Sequence, residues 1–172
     1  DGTLVIGHVQ TGRNALLVHK DGTTSVKVLE ITGGGDIAEP FKVSAQEILP
    51  GQVVCIDPRQ PGALSLSTRA YDPTVAGIVS GANGLKCGML LRQQDTVADG
   101  THPVALTGRV WCYSDADAGG PIQPGDLLTT ADTPGHAMKA ADREKAFGAI
   151  LGKAMSPLDK AQGLVLVLVS LQ

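Results

Sequence analysis

Aromatic residues make up only 3% of this 172-residue sequence, while 22 glycines and 10 prolines punctuate it throughout. Long helices are excluded by that spacing of breakers, and many short elements joined by turns are expected instead. Charge of one sign is missing as well: 14 Lys and Arg face 17 Asp and Glu, a formal charge of -3. No block of like charge is present to track a phosphate backbone, so nucleic acid is excluded as a partner. Long apolar runs are absent too. The one that stands out, Leu164 to Val169, is far shorter than the about 20 residues of a membrane helix or the about 9 to 11 of a membrane strand, so membrane insertion is excluded.

Cysteine is sparse and badly placed for chemistry. Cys55, Cys87 and Cys112 lie far apart, with none of the close pairs that hold zinc, and an odd count does not make a complete disulfide framework. They read as small buried apolar residues. His8, His19, His102 and His136 are scattered singly among turn residues, and no G-x-S-x-G elbow occurs. No catalytic residue, no cofactor and no metal is therefore assigned. Gly33-Gly34-Gly35-Asp36 lacks the following amphipathic helix that a phosphate cradle needs, and reads as a flexible joint. The chain begins at Asp1 without a leader and reads as a processed or excised C-terminal piece of something longer.

What is present is an internal repeat. Residues 48 to 82, "ILPGQVVCIDPRQPGALSLSTRAYDPTVAGIVSGA", run parallel to 122 to 154, "IQPGDLLTTADTPGHAMKAADREKAFGAILGKA". Pro50-Gly51 answers Pro124-Gly125, Pro61-Gly62 answers Pro134-Gly135, and Gly77 with Gly81 is matched to Gly148 with Gly152. Upstream, Gly35 and Gly108 open corresponding stretches, which gives repeats of about 35 to 82 and 108 to 154. A Pro-Gly pair sets one φ near -65° and permits a positive φ next, the chemistry of a type II turn between two short apolar runs. The stretch "ADREKAFGAILGKAM" has helix propensity by itself, but its partner "YDPTVAGIVSGANG" does not, so both are read as extended.

The repeat bears on Lys139, whose setting in "PGDLLTTADTPGHAMK" invites comparison with a biotin-carrying hairpin. Aligning Ala63 with Ala137 puts Ser65 opposite Lys139, so the other copy builds the same element without a lysine. The turn residues precede Lys139 and leave it on the outgoing strand, a solvated strand lysine. Arg109, Trp111 and Tyr113 share one face of a strand by two-residue periodicity. They either form a platform for stacking a cell-surface glycan or fill a barrel or subunit contact.

"GGGDIAEPF" (33 to 41), "YDPTVAGIVSG" (71 to 81) and "PVALTGRV" (103 to 110), in that order, resemble the C-terminal domains of phage tail spikes, neck appendages and related bacterial surface fibres. "GRNALLVHKDGTTSVKVLEI" (12 to 31) is similar to the short strand repeats that lead into such domains from a trimeric stalk. The resemblance implies a β-rich module that registers three chains as a homotrimer, outside the cell or on a virion surface. In some relatives it acts as an intramolecular chaperone that releases itself by autoproteolysis. If the chain is an enzyme at all, it is a self-cleaving peptidase, with a serine near residue 25 or 44 to be tested. No long helical arm and no cleaving serine can be placed here, so no catalytic residue is carried over.

The expected fold is mainly β. Residues 1 to 32 form a stalk-like strand pair, and 33 to 172 form an internally duplicated strand-and-turn barrel or sandwich with a C-terminal strand at 163 to 171. Two homologous halves that each expose an apolar sheet face are expected to pack against each other. Asp36 and Arg109, matched in the two copies, are a possible ion pair across that joint. In the last strand Leu164, Val165, Leu166, Val167, Leu168 and Val169 present large side chains to both faces. One face is expected in the core and the other against a neighbouring copy, which names these six as the oligomer contact. The alternative functions are an autoproteolytic processing domain and a glycan-binding tip.

Overall fold

A computed structural model describes residues 4–8, 13–44 and 47–171. The chain divides into two compact units, Asp1–Thr32 and Gly33–Gln172. In the first, β1 (Leu4–His8), β2 (Arg13–Val18) and β3 (Thr24–Val26) form a three-stranded antiparallel sheet. The expected strand pair thus gains a third member. Asp21 makes this possible by accepting the Thr23 N–H at 2.9 Å, which tightens the turn that sends the chain back as β3. Residues 9–12, where the stalk-like stretch begins, lie outside the described residues.

The second unit contains β4 (Asp36–Phe41), β5 (Val53–Ile56), β6 (Leu64–Leu66), β7 (Val75–Val79), β8 (Met89–Leu90), β9 (His102–Asp115), β10 (Leu127–Thr130), β11 (Ala137–Lys139), β12 (Gly152–Ala154) and β13 (Gln162–Ser170). A single turn of helix, α1 (Ala116–Gly119), follows β9, capped by the Asp115 carboxylate on the Asp117 and Ala118 N–H groups. The fold is mainly β, with a closed five-stranded barrel and further strands bonded outside it. The ring runs β9-β13-β12-β10-β11 and closes through a parallel contact of Ala137 with Ser114. The strands outside follow the same plan. They run β4-β9-β7-β5-β6, and Val43 meets Leu64 in a parallel bridge, with Ser44 N donating to Leu64 O and Leu64 N to Lys42 O. The long strand β9 is therefore last in the first half and first in the second.

The repeated turns share their closing bonds. Gly51 N donates to Val79 O at 2.7 Å and Gly125 N to Ala154 O at 2.8 Å; Asp57 N donates to Ala63 O and Ala131 N to His136 O. Even the side chain under the first turn is reproduced, with Leu49 N donating to Gln52 Oε1 and Gln123 N to Asp126 Oδ2, both at 2.8 Å.

Strand register corrects the sequence alignment in two places. Val54 pairs with Leu66 and Gly77, whereas Leu128 pairs with Lys139 and Gly152. Gly77 therefore corresponds to Gly152, and Lys139 to Leu66 rather than Ser65. The two glycines share a physical cause: a Cβ on Gly77 would lie 2.6 Å from Ala105 O, and one on Gly152 would run into Leu168 O. Only a hydrogen fits where these strands cross so closely. The alignment slipped because 143–148 in the second copy form a cluster of turns rather than extended chain. Asp36 and Arg109 do not pair: Asp36 is buried and accepts the Ser80 hydroxyl at 3.0 Å, while Arg109 is exposed.

Candidate functional site

Alternation along the strands divides the second unit into inward and outward faces. Val110, Cys112, Leu128, Ala137, Leu151, Ala154, Val165 and Val167 fill the barrel. Val54, Leu64, Val79 and Val104 fill the corresponding space of the first half. Each buried aliphatic side chain of this kind stabilises by about 1.5 to 3 kcal/mol, and this inward set holds each half together.

The outward faces differ. In the first half, one row crosses four strands as Ala38, Ala105, Ile78 and Val53, all fully buried. The last three belong to the same apolar cluster as the barrel residues of the second half. In the second half the corresponding row is Arg109, Leu168, Lys153 and Leu127. Here Leu127 is 41% and Leu168 43% exposed, and Arg109 and Lys153 are exposed. Beside this row Leu166 faces Trp111, both half-buried, and Met155 is exposed. This open sheet face is the candidate site. Its chemistry is that of a contact surface: aliphatic side chains flanked by the aliphatic stems and charged ends of Arg109 and Lys153.

The residues singled out in the sequence fall on or under this face. Of the six expected at an oligomer contact, Val165, Val167 and Val169 lie in this chain's own core and cannot reach a neighbour. Leu164, Leu166 and Leu168 point outward. Arg109, Trp111 and Tyr113 do share the outward side of β9, opposite Leu168, Leu166 and Leu164. Tyr113, however, is occupied within the chain: its ring lies 5.6 Å from that of His136, and a Cβ on Gly51 would sit 3.2 Å from its Cδ2. Lys139 makes an ion pair with Asp126 at 2.9 Å. Against the desolvation of its partly covered site, the Lys139 ammonium and the Gln123 N–H hold the Asp126 carboxyl below the usual carboxylate range.

Groups with reactive chemistry are muted. Burial pushes the Cys55 and Cys112 thiols up to about 12, so neither is a thiolate near neutrality. A hollow of about 330 Å³ beside Cys55 is lined by Asp57, Arg59, Arg69 and Asp72, and its charges are already matched, Arg59 to Asp57 at 3.3 Å and Arg69 to Asp72 at 3.0 Å. Among the described residues no group of three or more His, Cys, Asp and Glu lies together as a metal site. Of the serines named for a self-cleavage test, Ser25, exposed on β3, has its hydroxyl 3.2 Å from His19 Nε2, and Ser44 takes part in the strand bridge through its N–H. Desolvation raises the Asp36 carboxyl, opposed by the Ser80 hydroxyl, so the fold favours its protonated form.

No protein-family model matches the chain, and no curated protein matches it.

Proposed function

We propose that this chain is a folding and oligomerisation module at the C-terminal end of a secreted or virion-borne fibre, spike or surface appendage, working as a homo-oligomer and specifically a homotrimer. One observation carries the reading: an outward row that the first half buries completely is left open in the second half, with Leu127 and Leu168 more than two-fifths exposed. Apolar area of this kind is stabilised at roughly 25 cal/mol per Å² when it leaves water, which favours a cover. The resemblance of "GGGDIAEPF", "YDPTVAGIVSG" and "PVALTGRV" to fibre-terminal domains supplies the biological setting. Light scattering on the purified chain tests it. A mass near three chains is expected, and Leu168→Asp is expected to release folded single chains. A wild-type monomer at micromolar concentration would sink the reading.

A further inference from the structure

We infer that the open half of each chain receives the hairpin between β5 and β6 of another copy, in the way that the first half receives the hairpin between β10 and β11 within the chain. The inference rests on the oligomerisation reading above and names the two surfaces that meet. Inside the chain the joint is well defined. Val53 N donates to Gly135 O at 2.9 Å, and Gly135 N to Ser67 O at 2.8 Å. Gly135 sits so close that a Cβ there would lie 2.9 Å from Leu66 Cδ1 and 3.1 Å from Gln52 Cγ. The loop after β6 then clamps the hairpin, with Ala70 N on Asp132 Oδ1, Tyr71 N on Thr130 O and Asp72 N on Thr130 Oγ1. The Tyr71 hydroxyl accepts the Asp142 N–H at 3.0 Å.

Both partners of this joint have a counterpart in the other half of the unit. The hairpin at 57–63, one residue longer, shares the two closing bonds of that at 131–136, and Gly62 has φ 81° where Gly135 has 71°. Residues 58–62 are exposed, and nothing lies within 4 Å of a Cβ on Gly62. On the receiving side, Lys139 and Asp126, ion-paired with each other at 2.9 Å, stand where Leu66 and Gln52 receive Gly135. Counted back from the matched glycines Gly77 and Gly152, Phe147, 93% exposed, stands in the place of Asp72, whose N–H meets Thr130 Oγ1. At the base of the free hairpin, in the place of Thr130, stands Ile56, 54% exposed. Docking in the repeated geometry brings Ile56 to Phe147, and so covers two large apolar side chains that nothing else in the chain explains. Hairpin and receiving face lie on different halves, so the contact is head-to-tail: each copy offers one of each, and a closed ring leaves none open.

Two variants separate the two sides. Gly62→Asn alters the hairpin; Asn tolerates the left-handed region and the space around Gly62 is open, so the chain still folds. Phe147→Asp alters the receiving loop at a side chain in full solvent. Each variant alone is expected to lose the wild-type mass by light scattering while keeping its circular dichroism. Mixed in equal amounts they are expected to form a two-chain species and nothing larger. The Phe147→Asp chain keeps an intact hairpin and the Gly62→Asn chain an intact face, so one good contact survives. Ile56→Asp replaces Gly62→Asn should the latter lose its fold. Variants that keep the wild-type mass would overturn this joint and leave oligomerisation standing. Variants that dissociate but do not pair on mixing would overturn the head-to-tail geometry. A monomeric wild type removes both proposals together.

Discussion

The two halves of the second unit share a strand order, a set of turns and a crossing glycine, yet the same outward row is dry in one and wet in the other. Ala38, Ala105, Ile78 and Val53 are fully buried, whereas Arg109, Leu168, Lys153 and Leu127 meet solvent. The composition follows the environment. Small and β-branched residues stand where another layer lies directly on the sheet, and long flexible ones stand where none does. The inward residues show no such contrast, since Val104 and Val167, or Val79 and Ala154, are buried alike. A barrel of this size is specified by its inward face, and the outward face records what packs on it.

The strongest way to break the comparison is to put a charge on each side of β13. Val167→Asp buries a carboxylate in the barrel, where an unpaired charge costs several kcal/mol, so loss of the folded state by circular dichroism is expected. Leu168→Asp, one residue on, is expected to change the melting temperature of the separated chain little and to act on assembly. Equal unfolding by the two would erase the distinction between faces.

Next in size are the crossing glycines. Gly77→Ala and Gly152→Ala each drive a Cβ into the backbone carbonyl of the neighbouring strand, and each is expected to destabilise by about 1 to 3 kcal/mol in urea unfolding. A neutral result in either half would remove the structural equivalence drawn between them. A smaller but sharper contrast is Gly135→Asn against Gly62→Asn. Both glycines have a positive φ, but the first substitution also meets Leu66 and Gln52 while the second meets open space, so the first is expected to lower the denaturation midpoint of the chain further.

The smallest expected effect belongs to Asp36. Its carboxyl is raised in the folded state by desolvation, so the stability it contributes is present below the unfolded pKa and is lost as pH rises through the folded value. Asp36→Asn is expected to flatten that part of the profile, read as the difference between wild type and variant across the acid range. The lowered carboxyls of Asp115 and Asp126 act in the opposite sense and cancel in that difference. An unchanged slope would show that folding does not raise the Asp36 carboxyl.

Much of the architecture was legible because turn chemistry is local. Pro50-Gly51 and Pro124-Gly125 announce their reversals whatever surrounds them, and Gly51 and Gly125 do adopt φ 94° and 96°. Alignment of the copies failed where length changed: the turns at 143–148 displaced Gly152 from its true counterpart, and pattern alone matched it to Gly81. The ion pair of Asp36 and Arg109 failed for a different reason. Whether a strand-end aspartate faces water or a buried serine depends on Ser80, distant in sequence, and no local signal carries that choice.

By itself the sequence determined a β-rich chain of short strands and repeated Pro-Gly turns, because dihedral preference and side-chain alternation act over a few residues. In "GLVLVLVSLQ" it also required that both faces of the last strand find cover. Only the tertiary structure decided that Val165, Val167 and Val169 are the inner set and Leu164, Leu166 and Leu168 the outer. Both sets are apolar with the same period, so nothing local distinguishes them. The choice is made by the register of β13 against β9 and β12, which a shift of a single residue would invert.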